Sequence, residues 1–176
     1  MRAAVAFGSN LGDRLANLRA ARRAIVDLPR VAPPILSSAV FETEPIGCEP
    51  GAGKFFNAIL EFEYGGEPTA LLGELRAIEE SLGREPNHAS SVSRTIDLDL
   101  LYYGAHKIDP PPPGSGASGK QRLQLPHPRL HLRRFVLQPL ADIRPELVLP
   151  NQTQSVRELL AQTDDSAKVV RLMENW

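Results

Sequence analysis

Asp97, Leu98 and Asp99 form the triplet with the most chemistry in this 176-residue chain. They fall within Thr95 to Tyr103, a branched and aromatic run that reads as a strand. In a strand, residues i and i+2 share a face and lie about 7 Å apart. With Ile96, Leu98, Leu100 and Tyr102 turned to the core, Asp97 and Asp99 become neighbours on the opposite face. Two carboxylates so placed repel unless a cation lies between them. Hard divalent ions such as Mg²⁺ take oxygen ligands of this kind. Two ions about 3.5–4 Å apart could be spanned by the pair, clamping a phosphoryl group in transfer. The same spacing also describes two aspartates on a solvated strand face, and spacing alone does not choose.

The cations point the same way. From Pro110 to Ala141 there is no acidic residue, while Lys120, Arg122, His127, Arg129, His131, Arg133 and Arg134 all fall there. Arg84 and Arg94 lie shortly before the aspartates. Arginine forks match phosphate oxygens, and the combination of acids and arginines suits a polyphosphate with its metal. Surface pairing of these arginines with distant acids is the competing account.

Other motifs carry less. Gly114 to Gly119 matches the dinucleotide fingerprint in letters but follows four prolines instead of a strand, so it is rejected. The chain has no Walker A lysine motif, and His127 and His131 lack the glutamate of a zinc protease. The single Cys48 rules out an internal disulfide. Lys+Arg of 20 against Asp+Glu of 21 argues against non-specific nucleic-acid binding. The first ten residues do not resemble a signal peptide and no apolar run reaches 18 residues, so a cytoplasmic chain with no membrane partner is expected.

Several elements must position these groups. Ala3 to Ser9 reads as a strand and Asp13 to Leu28 as a helix stopped by Pro29. Ile35 to Thr43 and Phe55 to Tyr64 read as strands, the second with Phe56, Ala58, Leu60, Phe62 and Tyr64 on one face. Pro68 to Leu82 is a helix ended by Gly83. After Thr95 to Tyr103, Gly104 suggests a hairpin into Lys107-Ile108, then a Pro/Gly-rich loop spans about 109–121. Pro128 to about Ile143 reads as a helix interrupted at Pro139, and Ser155 to Gln162 as a short helix. The order β, α, β, β, α, β predicts an α+β, ferredoxin-like fold, a mostly antiparallel sheet with helices packed on it, in one domain over 1–176.

With these blocks in view, the chain resembles the 6-hydroxymethyl-7,8-dihydropterin pyrophosphokinase family of folate biosynthesis. Phe7 to Asp13 resembles its N-terminal signature and Arg94 to Leu101 its central one. Leu125 to Arg129, continuing through Arg133 to Leu137, resembles a third block in the right order. The resemblance implies pyrophosphate transfer from ATP to the pterin hydroxymethyl group, releasing AMP, by a chain expected to be a monomer. It implies two Mg²⁺ ions on Asp97 and Asp99, with Arg84 and Arg94 as further catalytic groups. Arg84, Arg94, Arg122, His127 and Arg133 would contact the nucleotide, and Glu79 and Leu100 would line its side. The pterin would lie between Phe55 and Phe135, its edge bonded to Asn57 and to the backbone of Thr43, Glu44, Pro45 and Ile46. The one-residue offset of Phe55 from the core-facing Phe56 agrees with such a pocket.

The chain departs from the family pattern between Gly83 and Arg94. Pro86 stands where a second arginine is frequent, Ser91 where a tryptophan is common, and Val92-Ser93 where Gly-Pro is usual. Loss of an arginine and a stacking ring should weaken nucleotide binding or closure while leaving the metal ligands. Those departures keep open a second reading, a catalytically weakened or inactive pterin- or nucleotide-binding module on the same scaffold. An RNA-binding variant of the fold is disfavoured, because Phe55 and Phe56 lack a basic stripe on their strand.

Overall fold

The structure is a computed structural model that describes residues 1–45, 48–83, 93–109 and 123–176. Its centre is β1 (Arg2–Ser9), paired antiparallel with β4 (Phe55–Tyr64) on one side and β5 (Asp97–Tyr103) on the other. On the far side of β4 lie β2 (Val31–Ser37) and β3 (Val40–Thr43), and β6 (Val169–Met173) pairs with β3. Because β1 and β3 both run antiparallel to β4, they form a split β-α-β unit around it, as the ferredoxin-like order requires.

Two helices cover one face of the sheet. α1 (Arg14–Val26) begins where the Asp13 carboxylate accepts the Ala16 N–H at 3.0 Å, and buries Leu18, Ala21 and Ile25. α2 (Pro68–Ser81) has proline in its first turn, where no donor is lost. It buries Leu71, Leu75 and Ile78 against Val5, Phe7, Leu60 and Phe62. Gly83, at φ 89°, carries the chain out of that helix. The other face packs Ala4, Ile59 and Leu101 under α3 (Arg134–Ile143) and α4 (Val156–Gln162). α4 starts with a reciprocal cap between Ser155 and Glu158.

Several details differ from the sequence expectation. The Ile35–Thr43 strand is two strands: β2 begins at Val31 and contains Pro33 and Pro34, and its register with β4 slips between Ala32 and Leu36. Proline donates no ladder bond, so this irregular edge is where a pair of them can sit. The helix after His127 breaks at Arg133 and runs through Pro139, with Leu130–Leu132 forming a separate 3₁₀ turn. One missing backbone bond is outweighed by burial of Val136, Leu137 and Leu140. Gly104 turns the chain, yet Ile108 bridges Leu125 instead of folding back on β5. In β5 the register slips between Ala4 and Val5 of β1, adding Leu101 as an extra residue. That bulge moves Tyr102 away from Leu98 and Leu100 to the α3 face. The Pro/Gly-rich loop falls outside the described residues from 110 onward.

Candidate active site

The floor of the site is one row across three strands. Gly8 of β1 pairs with Asn57 of β4 and with Asp97 of β5, so all three project from the same sheet face. In the next row on that face Ala6 pairs with Ile59 and with Asp99. β1 therefore places small residues, Gly8 and Ala6, beside the two acids of β5, with the Asn57 amide across Gly8 on the other side. A side-chain carbon built on Gly8 would lie 3.5 Å from Asn57 Oδ1, 3.8 Å from Asp97 Cβ and 3.8 Å from the Phe55 ring. Phe55 thus faces the same hollow. Phe56 turns to the α1 face, where the Arg14 guanidinium sits 3.7 Å from its ring centre.

Cations border the acidic end. Arg94 Nη1 lies 2.7 Å from Asp97 Oδ2. Arg133 stands at the start of α3, 5.3 Å above the Phe135 ring, with the Asp99 and Asp97 charges acting on it. Burial and Arg129 press its guanidinium below the usual range, the aspartates oppose this, and it stays charged. His127 is held neutral: burial first, then Arg133 and Arg129, push its ring down to about 4. Its Nδ1 accepts the Arg129 N–H at 3.3 Å, which leaves the ring proton on Nε2 as a donor. The His127 backbone N–H bonds to the Leu101 carbonyl at 2.8 Å, fixing this segment along the outer edge of β5.

The amide end is fixed by neutral hydrogen bonds. Asn57 is buried, and its Nδ2 donates to Thr43 Oγ1 at 2.7 Å, which turns Oδ1 toward the Gly8 hollow. Glu44 sends its carboxylate to Lys54 at 2.8 Å, across the neck of the loop between β3 and β4. Pro45 follows it in that neck, and Ile46 lies outside the described residues.

Of the expected site residues, the sheet brings Asn57, Phe55, Asp97 and Asp99 to one face; Arg94, His127 and Arg133 lie near the aspartates, and Phe135 lies beneath Arg133 at the start of α3. Arg84 and Arg122 lie outside the described residues. Glu79 is buried at the end of α2 and accepts the Leu98 N–H at 2.7 Å, clamping β5 between its two acids. The Leu100 side chain is buried on the α1/α2 face, away from the aspartates, and contributes to the core.

Two site residues were not singled out from sequence. Gly8 is one, and Asn10, 6% exposed, is the other. Asn10 Oδ1 accepts the Arg94 N–H at 2.7 Å, and the Asn10 N–H donates to the Arg94 carbonyl at 3.1 Å. Its Nδ2 reaches Ser93 Oγ at 2.9 Å and the Gly53 carbonyl at 3.3 Å. Ser93 in turn bonds the Glu49 carboxylate through both its hydroxyl and its N–H. Gly8, Ser9 and Asn10 close the first strand of the chain, but only the register reveals what stands opposite Gly8.

Comparison with known proteins gives a consistent picture. Residues 4–145 match the model of the 7,8-dihydro-6-hydroxymethylpterin-pyrophosphokinase family. A 2-amino-4-hydroxy-6-hydroxymethyldihydropteridine pyrophosphokinase of Haemophilus influenzae is 35% identical over 96% of this chain and 96% of its own length. One of Methylorubrum extorquens is 36% identical over 94% of this chain and 95% of its own. The fold is similar to that in a crystal structure of Plasmodium falciparum HPPK-DHPS, with a TM-score of 0.70 at 13% identity. That match covers 92% of this chain and 43% of the other.

Proposed function

The chain belongs to the 7,8-dihydro-6-hydroxymethylpterin-pyrophosphokinase family, and from that premise we propose how its residues share the work. The reaction moves the pyrophosphoryl group of ATP to the hydroxymethyl group of the dihydropterin, in folate synthesis, and leaves AMP. The hydroxymethyl oxygen gives up its proton to water and forms a bond to the β-phosphorus, while the bond from that phosphorus to the oxygen bridging the α-phosphate breaks and this oxygen leaves on AMP. Such transfers need little covalent help from protein; positioning and charge neutralisation carry the rate.

The observation that carries the assignment of roles is the Asn57–Gly8–Asp97 row, with an uncharged end and a charged end. At the uncharged end Phe55 and Phe135 stack on the flat heterocycle, and Asn57 Oδ1 accepts from its N–H edge. The backbone of Thr43, Glu44, Pro45 and Ile46 completes that edge. At the charged end Asp97 and Asp99 hold Mg²⁺, as two ions. Among the described residues no group of three His, Cys, Asp or Glu could hold a metal. Two carboxylates suit Mg²⁺ all the same, because it takes one or two from protein and the rest from phosphate and water. Bound there, Mg²⁺ neutralises charge along the triphosphate. Arg94 and Arg133, together with Arg84 and Arg122, take the phosphate oxygens, and neutral His127 donates from Nε2. Glu79 supports the nucleotide side indirectly, by holding the Leu98 N–H between the two aspartates, and Leu100 backs that strand from the core.

The reading takes residues 1–176 as one pyrophosphokinase domain, working as a cytoplasmic monomer without a nucleic-acid partner. No helix among the described residues is long and apolar enough to cross a membrane. An AMP-release assay with and without the dihydropterin tests the reading. AMP formed only with pterin, ATP and Mg²⁺ all present supports it, whereas tight ternary binding without AMP would favour a binding module.

A further inference from the structure

We propose that Gly8 sets acceptor specificity: its missing side chain is the space across which the heterocycle lies to bring its hydroxymethyl arm to the phosphates. The inference rests on the proposed roles of Asn57 and Asp97. Strands in a sheet are about 4.8 Å apart, so Asn57 and Asp97, on either side of β1, are separated by roughly two spacings. A fused two-ring acceptor held by its edge at Asn57 must therefore cross β1 before its one-carbon arm reaches the acids. The β1 residue directly between the two anchors is Gly8. Its absent Cβ is also the point from which Asn57 Oδ1, Asp97 Cβ and the Phe55 ring all lie within 4 Å.

The glycine is not there for its backbone. It lies inside a paired strand and is absent from the positive-φ glycines of the described residues, Gly12, Gly51, Gly83 and Gly104. A methyl group would meet its three neighbours at 3.5–3.8 Å, ordinary contact distance. The ligand-free fold therefore accepts alanine at this position, and the methyl group occupies only what an acceptor would fill. The same holds for serine up to its hydroxyl, which adds bulk and a polar group at the floor.

Steady-state kinetics of Gly8→Ala, Gly8→Ser and the control Gly73→Ala test this. Gly73 lies in α2 with nothing within 4 Å of an added carbon. For Gly8→Ala, kcat/KM toward the dihydropterin should fall on the order of 10- to 200-fold, the range for one methylene in a fitted pocket. The KM for ATP should stay within about twofold and the melting temperature within about 3 °C. Gly8→Ser should fall further, and Gly73→Ala should match wild type. Calorimetric titration of dihydropterin into protein with Mg²⁺ and a non-hydrolysable ATP analogue should show the same loss in binding. Wild-type kcat/KM in Gly8→Ala overturns the inference, as does an equal loss toward ATP with a lowered melting point, which would mark a structural role. A wild-type protein that releases no AMP overturns the proposed function itself, a result separable from either.

Discussion

Glu61 and Asp97 are carboxylates on the same sheet face, opposite Ala4 and Gly8 of β1, about 13 Å apart along that strand. Their surroundings differ. Glu61 is 1% exposed, and Arg144 forks onto it with Nε at 2.9 Å and Nη2 at 2.6 Å. The Tyr102 hydroxyl, its pKa driven up mainly by burial, also donates to it. Asp97 keeps a quarter of its side chain exposed, beside a glycine instead of an alanine, with Arg94 at 2.7 Å. At one end the protein surrounds its own charge; at the other it leaves room for someone else's. On the proposed roles the first arrangement serves stability and the second serves a ligand, and substitutions should separate them.

The largest effect is expected at Asp97. Asp97→Ala should cut AMP formation on the order of 10³-fold with the urea midpoint unchanged. Near wild-type turnover would show that this carboxylate has no share in the reaction. Glu61→Ala should do the reverse: a loss of about 3 kcal/mol in urea unfolding, the low end for breaking a buried pair, since Arg144 can still turn to water. Its turnover under folding conditions should stay near wild type.

His127 gives a smaller effect with a definite sign. Its folded pKa lies near 4, below the ordinary 6.5, so the unfolded chain takes up this proton first as the solution is acidified. Its contribution to stability is therefore full above about pH 6.5 and is lost between 6.5 and 4. Discounted for partial exposure of the ring, the loss is about 2 kcal/mol. The difference in unfolding free energy between wild type and His127→Gln, followed from pH 7 to 4, should shrink by that amount. A constant difference would mean that the ring titrates normally. The smallest effect belongs to Glu49→Gln, which weakens an exposed contact with Ser93 between the two loops. Less than about a fivefold change in either KM is expected, and a larger one would make this contact part of the binding surface.

Much of this contrast was legible in the residues. Alternation identified β4, placed Phe55 and Phe56 on opposite faces, and put Asp97 and Asp99 side by side. The same alternation failed at Tyr102, because one bulged residue shifts the facing of everything after it without altering composition. It also sets Asn57, Glu61 and Glu63 on one face, but it could not show that Glu61 is buried there with Tyr102 and Arg144, partners 41 and 83 residues away. β6 went unassigned, since its central residues Val170, Arg171 and Leu172 are all exposed and no apolar face announces it. Asp97 and Asp99, with Arg94 and Arg133 near them, drew notice by residue type and spacing. Gly8 and Asn10 did not, because their importance comes from what the register sets opposite them.

A crystal structure of the protein with the dihydropterin, Mg²⁺ and a non-hydrolysable ATP analogue tests the account most directly. The account predicts the heterocycle between Phe55 and Phe135, its edge on Asn57, its arm crossing Gly8, and the phosphates at Asp97 and Asp99. A heterocycle seated off the Gly8 row, or phosphates bound away from both aspartates, would contradict it.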